Sequence, residues 1–367
     1  MTTRSAELLG VVHAHPGITR AAAARQLGVG TGAAAELVAR LSQAKLLAEA
    51  PAAPSGSRGR PTTVLLPHPA GPLILAATIT HESWRIDVVE LGGARLATSR
   101  RGHHGGAVVP VIAAAAQELR TAYPERVRGI GIAAPGTVSR DLRLDASGLD
   151  WHDLDLTAVW DKAEVFVAGN DATLAAAAES SRGAAVGAHA ALHVRVEAGL
   201  GGALVDEGKV LVGALGAAGE FGHMPFGDPA IACPCGAYGC WGTSVDGSAL
   251  ARLLGHPPPT DPITYARRVI RSSREPDRRA ARTVAASLGR GLAGLVNGLD
   301  ADLVTLGGLG VDLLATAHVE IDKAYRAGLM AIRRADPPPV IAASLGDDGP
   351  LLGAAEEAWT ALLPRLA

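Results

Sequence analysis

Every cysteine of the 367-residue chain falls within eight positions, Cys233 to Cys240, beginning ten residues after His223. A disulfide framework needs an even set of partners spread along the chain, and three crowded thiols do not supply one. A reducing, cytoplasmic setting is therefore expected. Read with His223, the run is H-x9-C-x-C-x4-C: one nitrogen and three sulfurs, a set suited to tetrahedral zinc. The competing reading is three buried thiols that act as small hydrophobes.

Residues 1–20 carry Glu7, two histidines, Gly10 and Pro16 instead of a positive start, an apolar run and a cleavage site. No later stretch offers about 18 uninterrupted apolar residues, so neither export nor a membrane span is expected. A chain of this length, 48% hydrophobic, can bury more than one core, and two or three domains are expected.

Charge divides unevenly. Residues 1–70 hold seven Lys or Arg against three Glu, a balance of +4, and the chain totals of 34 basic and 36 acidic residues leave −6 for the rest. A basic head on an acidic body favours a polyanion partner at the N-terminus, although a solvated surface has the same balance. The head also has a pattern. "RSAELLGVVHAH" sets Leu8, Val11 and Val12 at helical spacing. After "PG", Thr19 is placed to cap a short Ala-rich helix ending near Gly28. "TGAAAELVARLSQAKLLAE" reads as a third helix with Leu37, Leu41 and Lys45 at intervals of four.

"LLAEAPAAPSGSRGRPTTVLLP" then reads as strand, loop, strand, which turns a generic three-helix bundle into a winged helix-turn-helix for double-stranded DNA. Thr31, Ala35, Glu36 and Arg40 are the candidate recognition face, and Arg58 and Arg60, flanking Gly59, are the candidate wing contacts to a narrow minor groove. From about Gly71, strand-like and helical segments alternate to the end of the chain. That alternation predicts an α/β body over 71–367 in two lobes, with ligands at the strand ends.

"NDATLAAAAE", "GEFGH", "CPCGAYGC", "LVTLGGLG" and "GPLLGAAEEA", in that order, resemble the ROK family, whose name joins repressors, open reading frames and kinases. The combination of ExGH with CxCGxxGC is the specific part; the glycine turns are individually weak. The resemblance implies an actin-like or hexokinase-like two-lobed body, a sugar or phosphosugar ligand, a structural zinc and homodimers or higher homo-oligomers. The winged head resembles the family's regulator branch. With the resemblance added, His223, Cys233, Cys235 and Cys240 are expected to hold zinc, with Gly236 and Gly239 letting the loop fold around it.

The resemblance also assigns Asn170, Asp171, Glu220 and His223 to the sugar site, with Asp171 where the kinases keep their general base. From the residues alone, Asp171 could equally be a helix cap. Two departures matter. Where the motif continues GCxE, this chain has Cys240, Trp241 and Gly242, which removes one sugar-contacting carboxylate. Where the kinases have DxGGT, it has Thr78, Ile79, Thr80, His81 and Glu82, losing both glycines and the leading acid. The second glycine turn survives as "EAGLGGA" from Glu197, but the fold alone can require such a turn. The expectation is a repressor that senses a sugar and has no significant kinase activity, Asp171 being a relic. The alternatives are an ATP-dependent sugar kinase with a DNA-binding appendage, and a ligand-independent regulator governed by a protein partner or oligomerisation.

Overall fold

The computed structural model describes residues 3–52, 63–103, 108–146 and 149–366. Three helices open it, α1 (Thr3–Ala14), α2 (Arg20–Gln26) and α3 (Thr31–Gln43), followed by β1 (Leu47–Pro51) and β2 (Thr63–Pro67). The two strands pair antiparallel from Leu47 opposite Pro67 to Pro51 opposite Thr63, and Thr19 bridges to Val64. This is the expected winged helix-turn-helix arrangement. Thr19 caps α2, its hydroxyl accepting the Ala22 N–H at 3.1 Å. On α1 the buried apolar set is Leu8, Leu9 and Val12, with Val11 half-buried.

The expected continuation of α3 through Lys45 is corrected. The helix ends at Gln43, and Lys45 stands just past it in the left-handed region at φ +58°. The Leu46 N–H reaches back to Leu41 O at 2.9 Å and the Lys45 N–H to Ser42 O at 3.0 Å, the paired bonds of a Schellman ending. Buried Leu46 and Leu47 then enter the hairpin, so the leucines that read as more helix serve the strand.

Next come β3 (Leu73–Ile79), β4 (Ser83–Glu90), β5 (Arg95–Gly102), α4 (Val108–Ala122) and β6 (Val127–Ala134). Three short strands follow, β7 (Thr137–Val138), β8 (Arg143–Ala146) and β9 (Trp151–Asp155), then β10 (Val165–Asn170) and α5 (Asp171–Arg182). One five-stranded sheet has the order β10-β6-β3-β4-β5, with β3 parallel to β6 and antiparallel to β4. Central β3, LILAATI, is buried along nearly its whole length, as a strand covered on both faces must be. Edge strand β5 exposes Arg95, Arg100 and Arg101, charges that discourage pairing with another chain.

The remaining elements are β11 (Ala190–Val196), β12 (Leu200–Asp206), β13 (Lys209–Val210), α6 (Gly247–Leu253), α7 (Pro262–Ile270), α8 (Glu275–Leu299), β14 (Leu303–Gly308), α9 (Leu309–Gly328), α10 (Ala331–Ala335), β15 (Val340–Ala342) and α11 (Gly349–Leu366). A second five-stranded sheet has the order β13-β12-β11-β14-β15, with β11 antiparallel to β12 and parallel to β14. Its core joins Leu192, Val194 and Leu306 to Trp241 and to Leu288, Leu292 and Val296 of α8. The fold class is thus the expected one: a winged head followed by two α/β lobes.

Chain packing separates two compact units, residues 1–134, 155–168 and 354–367 in one and residues 135–154 and 169–353 in the other. The head belongs to the first. Among the described residues, no helix is long and apolar enough to cross a membrane.

Candidate functional site

The cysteine loop is built by backbone hydrogen bonds before any ion is considered. Gly227 N–H meets Gly239 O at 2.9 Å, Gly239 N–H meets Ile231 O at 2.9 Å and Cys233 N–H meets Ala237 O at 2.8 Å. Gly236 and Gly239 adopt φ +93° and +71°, a region that favours glycine and lets the loop fold tightly. These folds bring one ring nitrogen of His223 and the three sulfurs within 4.8 Å of one another. Cys233 Sγ lies 3.7 Å from His223 Nδ1, and Cys235 Sγ lies 3.7 Å from Cys240 Sγ. Zinc–sulfur bonds of about 2.3 Å give a tetrahedron whose edges are about 3.8 Å, so the spacing fits a four-coordinate structural metal centre. Burial pushes the Cys240 thiol up to about 12 and raises Cys233, while the Ala237 N–H lowers Cys235. A cation is what such a cluster needs to hold thiolates.

The candidate sugar ligands lie in the same unit. Strand β10 runs directly into α5, and the cap is Asn170 rather than Asp171. Asn170 Oδ1 accepts the Ala172 N–H at 2.9 Å and the Thr173 N–H at 3.2 Å, and its Nδ2 donates to Gly136 O at 2.9 Å. Asp171 takes the first helical position, where a carboxylate favours the positive end of the helix. Glu220 receives the Thr137 hydroxyl on Oε1 at 2.8 Å, and its Oε2 stands 3.8 Å from His223 Nε2. The Gly136–Thr137 segment therefore connects Asn170 and Glu220, and Glu220 in turn faces His223.

The "LGG" of β12 has a packing reason. A Cβ on Gly202 would lie 2.8 Å from the Phe221 ring, and one on Gly201 would lie 3.0 Å from Ala172 Cβ. These glycines let the start of α5 and the GEFG segment close on the strand. Gly242 borders the same region, 3.3 Å from Gly222 O when a Cβ is built on it.

The stretch that replaces DxGGT, in the other unit, ends β3 with half-buried Thr78 and buried Ile79 and then turns at exposed Thr80, His81 and Glu82. Thr80 N–H donates to Ser83 O at 2.8 Å, and the Thr80 hydroxyl oxygen accepts the Ser83 N–H at 3.0 Å and the Glu82 N–H at 3.4 Å. At the second glycine turn, Glu197 pairs with buried Arg195 at 2.8 Å. Burial raises the Glu197 carboxyl above the ordinary range, against the pull of Arg195, with Asp347 and Asp171 raising it further. Thr137 and Glu197 were missed in the sequence. Thr137 carries no motif of its own, and Glu197 was visible only as the first letter of a glycine turn.

On α3, Thr31, Glu36 and Arg40 are exposed and Ala35 is half-buried, opposite the buried stripe of Ala34, Leu37, Val38 and Leu41. Arg58 and Arg60 lie outside the described residues.

The sequence profile of the ROK family matches residues 85–360. The chain belongs to the ROK family. A glucokinase from Halalkalibacterium halodurans is 29% identical over 276 residues, 68% of this chain and 82% of that protein. Among solved structures, a ROK family transcriptional regulator described as a homolog of the E. coli MLC protein matches 99% of this chain and 98% of its own, with a TM-score of 0.79 at 20% identity. A ROK family glucokinase from Streptomyces griseus, in complex with glucose and AMPPNP, matches 78% of this chain and 99% of its own, with a TM-score of 0.67 at 27% identity. The matched proteins thus include both a transcriptional regulator and sugar kinases.

Proposed function

We propose that the chain is a sugar-responsive transcription regulator, acting as a repressor. In this reading residues 1–70 bind double-stranded operator DNA as part of a homodimer, and residues 71–367 sense a sugar or phosphosugar. The observation that carries it is the head, whose α3 turns Thr31, Glu36 and Arg40 to solvent from a packed winged helix-turn-helix. Such a helix has the geometry to enter a major groove. A ligand preferred by one conformation of the body shifts the population of the whole chain, and with it the affinity for DNA.

His223, Cys233, Cys235 and Cys240 hold zinc in this reading. Four protein ligands leave no open position, so the ion supplies structure. With Nδ1 directed at the metal, His223 keeps its proton on Nε2 and presents an N–H toward Glu220.

Phosphoryl transfer depends on holding and neutralising phosphates. The turn after β3 spends the Thr80, Glu82 and Ser83 N–H groups on itself and adds the Glu82 charge, and in this reading both oppose nucleotide phosphates. A second reading, an ATP-dependent sugar kinase with a DNA-binding appendage, draws its support from Asp171 at the start of α5 and from the kinases among the relatives.

The test pairs two assays on zinc-replete protein. One incubates it with magnesium, ATP and a panel of hexoses and N-acetylhexosamines, with mass spectrometry for sugar phosphates. The other selects DNA from a random library and adds the same sugars. Sugar-dependent release of selected DNA without turnover is expected. Turnover abolished by Asp171→Asn would establish the kinase reading, and failure to select any DNA would remove the regulator reading.

A further inference from the structure

Two of the candidate sugar ligands are held by adjacent residues of one short segment. Gly136 O takes Asn170 Nδ2 at 2.9 Å, and the Thr137 hydroxyl donates to Glu220 Oε1 at 2.8 Å. Thr137 is itself fixed, being the first residue of β7 and paired with Asp145 of β8. The bond to Oε1 decides what the carboxylate can offer. One oxygen is engaged inside the protein, and the other, Oε2, faces His223 Nε2 across 3.8 Å.

That separation is too long for a hydrogen bond and suited to one shared hydroxyl. A hydroxyl oxygen about 2.8 Å from each atom would donate to Oε2 and accept from the Nε2 proton. Both halves of the grip are set from behind, Glu220 by Thr137 and His223 by the cysteine cluster on Nδ1. Without the Thr137 hydroxyl the carboxylate is free to rotate, to pair directly with the imidazole or to turn both oxygens outward.

We propose that Thr137 is a positioning residue of the sugar site, holding Glu220 so that one carboxylate oxygen and His223 Nε2 grip a single ligand hydroxyl between them. This rests on the sugar-sensing reading. It also gives the site a chemical preference: the ligand group there is a hydroxyl, donor and acceptor at once, and an ether or a deoxy position does not replace it.

The experiment titrates zinc-loaded parent, Thr137→Val, Thr137→Ser and Thr137→Ala by calorimetry with D-glucose, D-mannose and N-acetyl-D-glucosamine, and records the melting of each variant. A hydrogen bond to a carboxylate contributes enough that Thr137→Val should weaken the bound sugar by roughly tenfold, while Thr137→Ser, which restores the hydroxyl, should return to within about twofold of the parent. Should the valine variant melt early, the serine and alanine variants make the same comparison. Equal affinity with and without the hydroxyl, or equal losses in serine and valine, would overturn the role of Thr137 and leave sugar sensing standing. A parent that binds none of the three overturns the sensing reading, and the role of Thr137 with it.

Discussion

The imidazole of His13 on α1 reaches the Glu356 carboxylate of α11 through Nε2, at 3.2 Å, across 343 residues of sequence. Its Nδ1 lies 2.9 Å from the Gly92 amide nitrogen. An N–H directed at Nδ1 requires that nitrogen to accept, so the ring proton sits on Nε2 and is donated to Glu356. The ring is 6% exposed and packs 5.6 Å from Trp359 of the same helix. The first helix of the head is thus joined to the last helix of the chain by a buried polar contact.

Removing the acceptor should be costly because a buried donor then loses its partner. Glu356→Ala is expected to lower stability by about 1–3 kcal/mol, and Glu356→Gln by less, since its amide oxygen still accepts. Urea denaturation of the three proteins measures it. An alanine variant that unfolds with the parent's midpoint would mean that the contact contributes nothing net.

The cysteine loop predicts that metal and fold are linked. Gently purified protein should contain about one zinc per chain, and strong chelation should lower the melting temperature, because free energy of binding to a site absent from the unfolded chain is free energy of folding. Cys235→Ser should lose most of the metal while the residues outside the loop stay folded. A metal-free preparation that melts like the loaded one, indifferent to chelator, is the contrary result.

Asn170 has two duties, which separates its variants. Asn170→Ala removes the cap of α5 and should cost about 1 kcal/mol of stability besides any loss of sugar response. Asn170→Ser keeps a capping oxygen but loses the amide that reaches Gly136, so it should recover most of the stability and little of the response. Thermal melts set beside sugar titrations distinguish the two. Equal melting of the alanine variant and the parent would show that the cap is dispensable.

The same residue shows what could be read in advance. Short-range chemistry was legible: Thr19 as a cap, the turn at Gly236 and Gly239, and the H-x9-C-x-C-x4-C spacing all depend on neighbours in sequence. The choice between Asn170 and Asp171 as cap was not, because it turns on whether β10 ends one residue earlier or later, and Gly136 O settles that by holding the Asn170 amide. Lys45 misled for a similar reason. Nothing in its residue type announces φ +58°, a conformation imposed by the turn into β1. Thr137 and Glu197 act through partners remote in sequence or through burial, which a motif does not encode.

His193 yields the last prediction, a pH dependence with a definite sign. On β11 it is 2% exposed, with Nδ1 at 2.9 Å from the Thr305 hydroxyl. Burial, helped by the neighbouring Arg195 charge, pushes its pKa down to about 4 from the ordinary 6.5. The unfolded chain therefore takes up a proton at a pH where the folded chain still refuses it. The contribution to stability is complete above pH 6.5 and falls as the pH drops toward 4, by about 2 kcal/mol at pH 5. Buried Asp246, raised to about 6, works the opposite way, since its folded form binds the proton first. The test is therefore a difference between proteins. Denaturation at pH 7.5, 6 and 5 should show the parent losing stability more steeply than His193→Gln, which retains polar contact to Thr305 without titrating. The variant starts less stable at pH 7.5 through altered packing, and the gap should narrow as the pH falls. Parallel losses in the two proteins would mean that His193 is not held neutral in the folded chain.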